Sequence, residues 1–161
     1  NPSSRRIMTN IYNFDDLHEM NLYPCAYSMT FNVSGNVLNG ILNQRSQDML
    51  TANNWNVVQY SMLQMMMAQV AGLEAGELVH VIADCHIYDR HIPAVKAMLE
   101  KEGFAAPKVT LDPNVTDFYS FTKAGTYMAI AVAYYYKSGE THVTTTFYSL
   151  SYALDGNNLI G

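Results

Sequence analysis

The stretch 54–72 constrains the fold more than any other part of this chain. Along it Val57, Val58, Met62, Leu63, Met65, Met66, Met67, Val70 and Ala71 leave almost no polar stripe. A helix that is apolar nearly all round has to be covered on most sides, which predicts a layered fold with this helix inside it. Gly72 suits its C-cap, because glycine enters the left-handed conformation without a Cβ penalty. The methionines at 62 and 65–67 read as core filler, being flexible enough to fit irregular gaps. Gln59, Gln64 and Gln69 interrupt the run. Nowhere does the chain reach the roughly 18 consecutive apolar residues of a membrane span, and no signal-peptide pattern is seen.

The remaining elements follow from alternation and turn signals. Strand-like residues at 26–33 and 37–45 flank Ser34-Gly35-Asn36, a hairpin signal. On the second of these, Val37, Asn39, Ile41 and Asn43 alternate with Leu38, Gly40, Leu42 and Gln44. Asn1 to Tyr12 reads as a capped turn leading into a strand, and Leu78 to Ile82 as a buried strand running into Asp84 and His86. Pro93 to Lys101 suits a helix with proline in its first turn and Gly103 beyond its end. Lys108 to Leu111 is expected to be a short strand closed by Asp112-Pro113-Asn114. Tyr127 to Tyr136 and His142 to Tyr152, rich in Tyr, Thr and Val, predict two strands around Lys137-Ser138-Gly139-Glu140. The expected class is α+β (mixed α/β), a large mixed sheet packed on a buried helix.

A chain of 161 residues fits one domain. Hydrophobic residues make up 49% and charged residues 14%, so there is much apolar surface to hide and a subunit interface is expected. The formal net charge of −5 argues against a nucleic-acid surface, which needs a basic face, but leaves room for a mononucleotide. Two cysteines make no disulfide framework, and the expected setting is a reducing, cytoplasmic one without membrane contact.

Chemistry gathers in a few short segments. Tyr23-Pro24-Cys25 offers a thiol nucleophile, and Gln44-Arg45-Ser46-Gln47-Asp48 offers a guanidinium that suits phosphate. Asn56 and Asp84-Cys85-His86-Ile87-Tyr88 follow. A cationic neighbourhood is what lowers a thiol pKa enough to populate thiolate at neutral pH. The histidines lack metal-ligand spacing, so no metal is expected.

With Pro2-Ser3-Ser4-Arg5-Arg6, these segments stand in the order and spacing of thymidylate synthases, which the chain resembles over about residues 1–122. Ala106-Pro107-Lys108 and Val115-Thr116-Asp117-Phe118-Tyr119-Ser120-Phe121-Thr122 are similar to that family's C-terminal region. The resemblance implies a thymidylate synthase-type fold that lacks the family's N-terminal part. It has a catalytic region at 1–122 and, at 123–161, a strand-forming segment of the same domain with no assigned role. It implies reductive methylation of dUMP to dTMP with 5,10-methylenetetrahydrofolate as co-substrate, Cys25 attacking the uracil ring. Arg45 and Ser46 match the family's phosphate ligands. Arg5 and Arg6 match the pair that reaches the partner's phosphate site in a homodimer; on a strand the two would point opposite ways. Asn56 matches the residue whose amide fits the oxo-and-imino edge of uracil, though an asparagine there also suits a helix N-cap. His86 and Tyr88, two apart and so on one side of a strand, match the pair that binds the deoxyribose 3′-hydroxyl. Asp48 matches the carboxylate that binds the reduced folate.

The chain also departs from the family. The N-terminal third, with its proton-relaying glutamate, folate-side tryptophan and another phosphate-binding arginine, lies outside these residues. Acid–base help is worth about 10²–10⁴ in rate, so the isolated chain is expected to be impaired or inactive. Ala26 stands where the family usually has histidine, and Ala52 and Ala83 stand where glycines are expected. These departures leave an alternative: a catalytically dead deoxynucleotide-binding or dimerisation module.

Overall fold

The computed structural model describes residues 1–103, 108–122, 153–155 and 158–160. The chain divides into two compact units, Asn1–Phe104 and Ala105–Gly161. The first holds β1 (Met8–Asn10), β2 (Ala26–Ser34), β3 (Val37–Gln44), β4 (Gln47–Asp48), α1 (Asn53–Ala71), β5 (Glu74–Ile82), β6 (Cys85–His86) and α2 (Ile92–Leu99).

The predicted hairpin forms β2 and β3. Ser34 pairs with Val37 across Gly35-Asn36. Gly35 has φ 62° while Asn36 stays at negative φ, the pattern of a type II′ turn whose twist matches the strands it joins. β1 adds to the free side of β2, also antiparallel, as expected from the N-terminal sequence. β5 then lies parallel to β3, giving the order β1-β2-β3-β5. Parallel neighbours cannot be joined by a tight turn, and α1 makes the crossover.

α1 ends in a Schellman motif. Gly72 takes φ 68°, its N–H donates to Gln69, and Leu73 N–H donates to the Ala68 carbonyl at 2.8 Å. Tyr60, Gln64 and Ala68, one turn apart, bury against the sheet, where Met29 and Leu42 are fully enclosed with Phe31 and Leu38. Truncating Leu42 to alanine would cost about 2–5 kcal/mol. Gly40 permits the close approach: a Cβ there would meet Gln64 Oε1 at 2.7 Å and Met29 Cε at 2.9 Å.

Several expectations are corrected. The expected cover of α1 holds from Ser61 to Val70, where no residue is exposed and Met66 is buried on the side opposite Gln64, but its first turns, with Trp55 and Val57, stand exposed. Its N-cap is Ala52, so Asn56 lies inside the helix and does not cap it. β5 is not a buried strand: Leu78, His80 and Ile82 turn toward α1, but Val79 and Val81 remain 49% and 47% exposed on the opposite face. Arg5 and Arg6 precede β1, in no strand. Lys108–Leu111 forms no strand, although a turn at Pro113-Asn114 follows as expected. In the second unit the described elements are a 3-10 turn at Phe118–Thr122 and an antiparallel pair, β7 (Ala153–Asp155) with β8 (Asn158–Ile160). The strands predicted at 127–136 and 142–152 lie outside the described residues.

Candidate active site

The residues singled out in the sequence, Arg5 and Arg6 apart, collect where the parallel strands β3 and β5 end. In open α/β sheets the carboxyl ends of parallel strands are where ligands bind. Arg45 and Ser46 leave β3, and the short parallel pair of β4 and β6 carries the chain outward, with Gln47 opposite Cys85 and Asp48 opposite His86. Backbone bonds from Ala83 to Gln44, Gln47 to Asp84 and Met49 to His86 fasten the two segments together.

Cys25 sits half-buried just before β2, next to a bulge in which Ala26 pairs with Gln44, Ser28 pairs with Asn43, and Tyr27 is the extra residue. The Cys25 carbonyl accepts from the Arg45 N–H at 2.9 Å. The Arg45 side chain turns back on the same segment, donating from Nε to the Pro24 carbonyl at 3.3 Å and from Nη2 to the Tyr23 carbonyl at 2.6 Å. Pro24 also takes the Tyr12 hydroxyl at 2.7 Å. The guanidinium has five N–H donors, so others remain for an anion. Thiol and arginine are thus joined through the backbone.

Ser46 Oγ donates to Asp84 Oδ2 at 3.5 Å, and Asp84 Oδ2 in turn lies 3.4 Å from His86 Nδ1. The rings of His86 and Tyr88 meet edge to face at 5.0 Å, so the two do share a side although β6 ends between them. Asn56 donates from Nδ2 to Gln47 Oε1 at 2.8 Å. Asp48 accepts from Thr51 Oγ1 at 2.5 Å and from the N–H groups of Leu50 and Thr51. These bonds, the Thr51 hydroxyl first, hold its carboxyl below the ordinary value of 3.8. Arg5 and Arg6 are exposed, and among the described residues no hydrogen bond or ion pair ties either guanidinium to this cluster. Nor does any group of three or more His, Cys, Asp or Glu among those residues gather to hold a metal ion.

Three supporting residues escaped the sequence reading. Gln44 donates to the Ser46 carbonyl at 2.8 Å and accepts from His80 Nε2 at 3.0 Å, so it fixes the turn that carries Arg45. Its place in the Leu38, Gly40, Leu42 alternation was the available signal that it is buried. Gln47, also buried, holds Asn56. His91 lies close to Asp48, and no sequence signal marked it.

The cluster thus offers a half-buried thiol, a guanidinium bonded to the segment that leads into it, a hydroxyl, an amide and a His–Tyr pair, groups able to attack an electrophile and to hydrogen-bond an anion. The sequence pattern of the thymidylate synthase family matches residues 1–146. Over 122 residues the chain is 48% identical to the thymidylate synthase of Bacillus subtilis subsp. natto and to that of Bacillus phage phi3T, each alignment spanning 76% of this chain and 44% of the relative. The solved structure of thermostable thymidylate synthase A from Bacillus subtilis superposes with a TM-score of 0.70 at 46% identity, over 75% of this chain and 44% of that one. The chain belongs to the thymidylate synthase family. It spans less than half the length of these relatives.

Proposed function

We propose that this chain carries the nucleophile and most nucleotide ligands of a thymidylate synthase, the enzyme that methylates dUMP to dTMP. The carrying observation is the Arg45 side chain bonded to the carbonyls of Tyr23 and Pro24, beside Cys25, in a chain of this family. In this reading the Cys25 thiolate adds to carbon 6 of the uracil and carbon 5 becomes nucleophilic. Arg45 and Ser46 hold the phosphate, Asn56 the uracil edge, and His86 with Tyr88 the sugar 3′-hydroxyl. Asp48 would hold the reduced folate: its carboxylate is kept ionised by the Thr51 hydroxyl, which suits an acceptor for a pterin N–H. Methylenetetrahydrofolate supplies the one-carbon unit and the hydride. The catalytic region is assigned to residues 1–122.

The active form is a homodimer in which Arg5 and Arg6 reach the partner's phosphate site. Two observations support this: both arginines are free of the chain's own cluster, and one face of the sheet leaves Ile41, Val79 and Val81 exposed. The setting is cytoplasmic, in keeping with two free thiols. No helix among the described residues is long and apolar enough to cross a membrane.

Ala26 favours a second reading. It is buried in the core cluster, where the family's usual histidine would stand. Without that side chain the site would bind a deoxynucleotide and do no chemistry. Intact mass spectrometry after incubation with 5-fluoro-dUMP and methylenetetrahydrofolate separates the two. An adduct that is lost in Cys25→Ser establishes the enzyme, and dUMP binding without an adduct establishes the binding module.

A further inference from the structure

We infer that His91 is a positioning residue for Asp48, the carboxylate assigned above to the folate; the inference rests on that assignment. His91 Nδ1 lies 3.9 Å from Asp48 Oδ2, with the two side chains only 17% and 14% exposed. Arg90 Nε approaches His91 Nε2 at 3.2 Å. A guanidinium can only donate, so Nε2 must present its lone pair, and the proton of the neutral ring then sits on Nδ1, toward Asp48. That Nδ1 is buried and has no hydrogen-bond partner. A buried donor left unmade is costly, and about an ångström of movement would close it onto the carboxylate as a charge-assisted bond.

The ring is held for this purpose. Tyr88 meets His91 edge to face at 5.6 Å, meets His86 at 5.0 Å, and carries the Arg90 guanidinium 5.2 Å above its own ring. The tyrosine assigned to the sugar therefore also walls the histidine that faces the folate carboxylate. Asp48 already accepts on both oxygens from Thr51 and Leu50, which fixes it from its own turn; His91 fixes it from the β6 side. In this arrangement His91 acts on folate binding through Asp48 and leaves dUMP alone.

The test uses the natural full-length polypeptide and tetrahydrofolate, which lacks the one-carbon unit and so cannot react. Its binding to the dUMP complex is measured by calorimetry in His91→Leu, His91→Gln and His91→Asn, with dUMP binding measured alone first. Asparagine places an amide N–H where Nδ1 stands, whereas glutamine places one nearer Nε2. The expected result is a loss of tetrahydrofolate affinity of about tenfold or more in the Leu and Gln variants, the worth of one charge-assisted hydrogen bond. Asparagine should restore it, dUMP affinity should stay unchanged, and His91→Leu should add nothing in an Asp48→Asn background. Should the leucine variant fail to fold, the glutamine and asparagine pair carries the test. Tetrahydrofolate affinity within about twofold of wild type in the glutamine variant, with dUMP still bound, would overturn the inference alone. A wild-type protein that binds no dUMP would overturn the assignment of the site, and this inference with it.

Discussion

The Arg45 guanidinium donates from Nη2 to the carbonyl oxygen of Tyr23 at 2.6 Å. With the Nε bond to Pro24, it grips the two residues that lead into Cys25. Arginine does this with a planar fork, whereas lysine offers a compact point charge. Arg45→Lys should therefore keep a cation for phosphate yet release the segment carrying the thiol. Adduct formation with 5-fluoro-dUMP should fall about tenfold or more, while dUMP affinity falls less. Equal losses would show that the arginine serves the phosphate alone.

Asn56 reaches Gln47 with its Nδ2, which leaves its carbonyl oxygen and second N–H for the uracil edge in the proposed reading. Asn56→Asp removes the donor and places a carboxylate there, which suits the amino group of cytosine. In competition binding the variant should shift its preference from dUMP to dCMP by about tenfold or more. A variant that loses both nucleotides equally would make Asn56 a structural residue of α1.

Gln64 lies 2% exposed on α1 and donates from Nε2 to the carbonyls of Leu38 at 2.9 Å and Glu77 at 3.1 Å. The two carbonyls belong to the neighbouring parallel strands where their register slips. Gln64→Leu fills the space but leaves both acceptors without this donor, at a cost of about 2–4 kcal/mol. Urea denaturation followed by circular dichroism reads this directly.

Ile41 and Val79 are neighbours across β3 and β5, and both stand exposed. A glutamate at position 79 puts a charge into the middle of that apolar face. If the face joins two copies, Val79→Glu should convert a dimer to monomers in sedimentation velocity, with the secondary structure retained. A dimer that survives the substitution places the interface elsewhere.

Burial holds His80 below its ordinary value of 6.5. The unfolded chain then binds a proton that the folded chain refuses, so stability falls as the pH drops through about 6.5. Asp48, held below 3.8, adds a second loss only at still lower pH. Melting temperature recorded from about pH 8 to pH 5 should decline, and the decline should shrink in His80→Gln.

Much of this was legible in the residues. The hairpin announced itself through Gly35 between alternating strands, and α1 through its run of methionines and Gly72. The ordered segments from Cys25 to Tyr88 marked the cluster before any fold was known. What escaped has a common cause. Val79 and Val81 made β5 look enclosed because apolar content reports what a surface prefers to touch, and the described chain supplies nothing to touch it. Asn56 resembled a cap because a capping asparagine and an asparagine one turn inside a helix differ only in where the helix begins. His91 gave no sign because its meaning depends on the fold of β4 against β6, which no local pattern encodes.

The bulge at Tyr27 works as a one-residue frame shift. Beyond it Met29, Phe31 and Val33 supply the core; before it Ala26 does, so inward and outward positions exchange parity. A β2 lacking that extra residue would turn Cys25 through half a rotation of the strand relative to Arg45. Deleting a residue here would thus reverse the side on which the thiol emerges while leaving every nearby side chain chemically intact. The aim of the Cys25 thiol is stored as a count of residues, and an interruption in the sheet keeps that count.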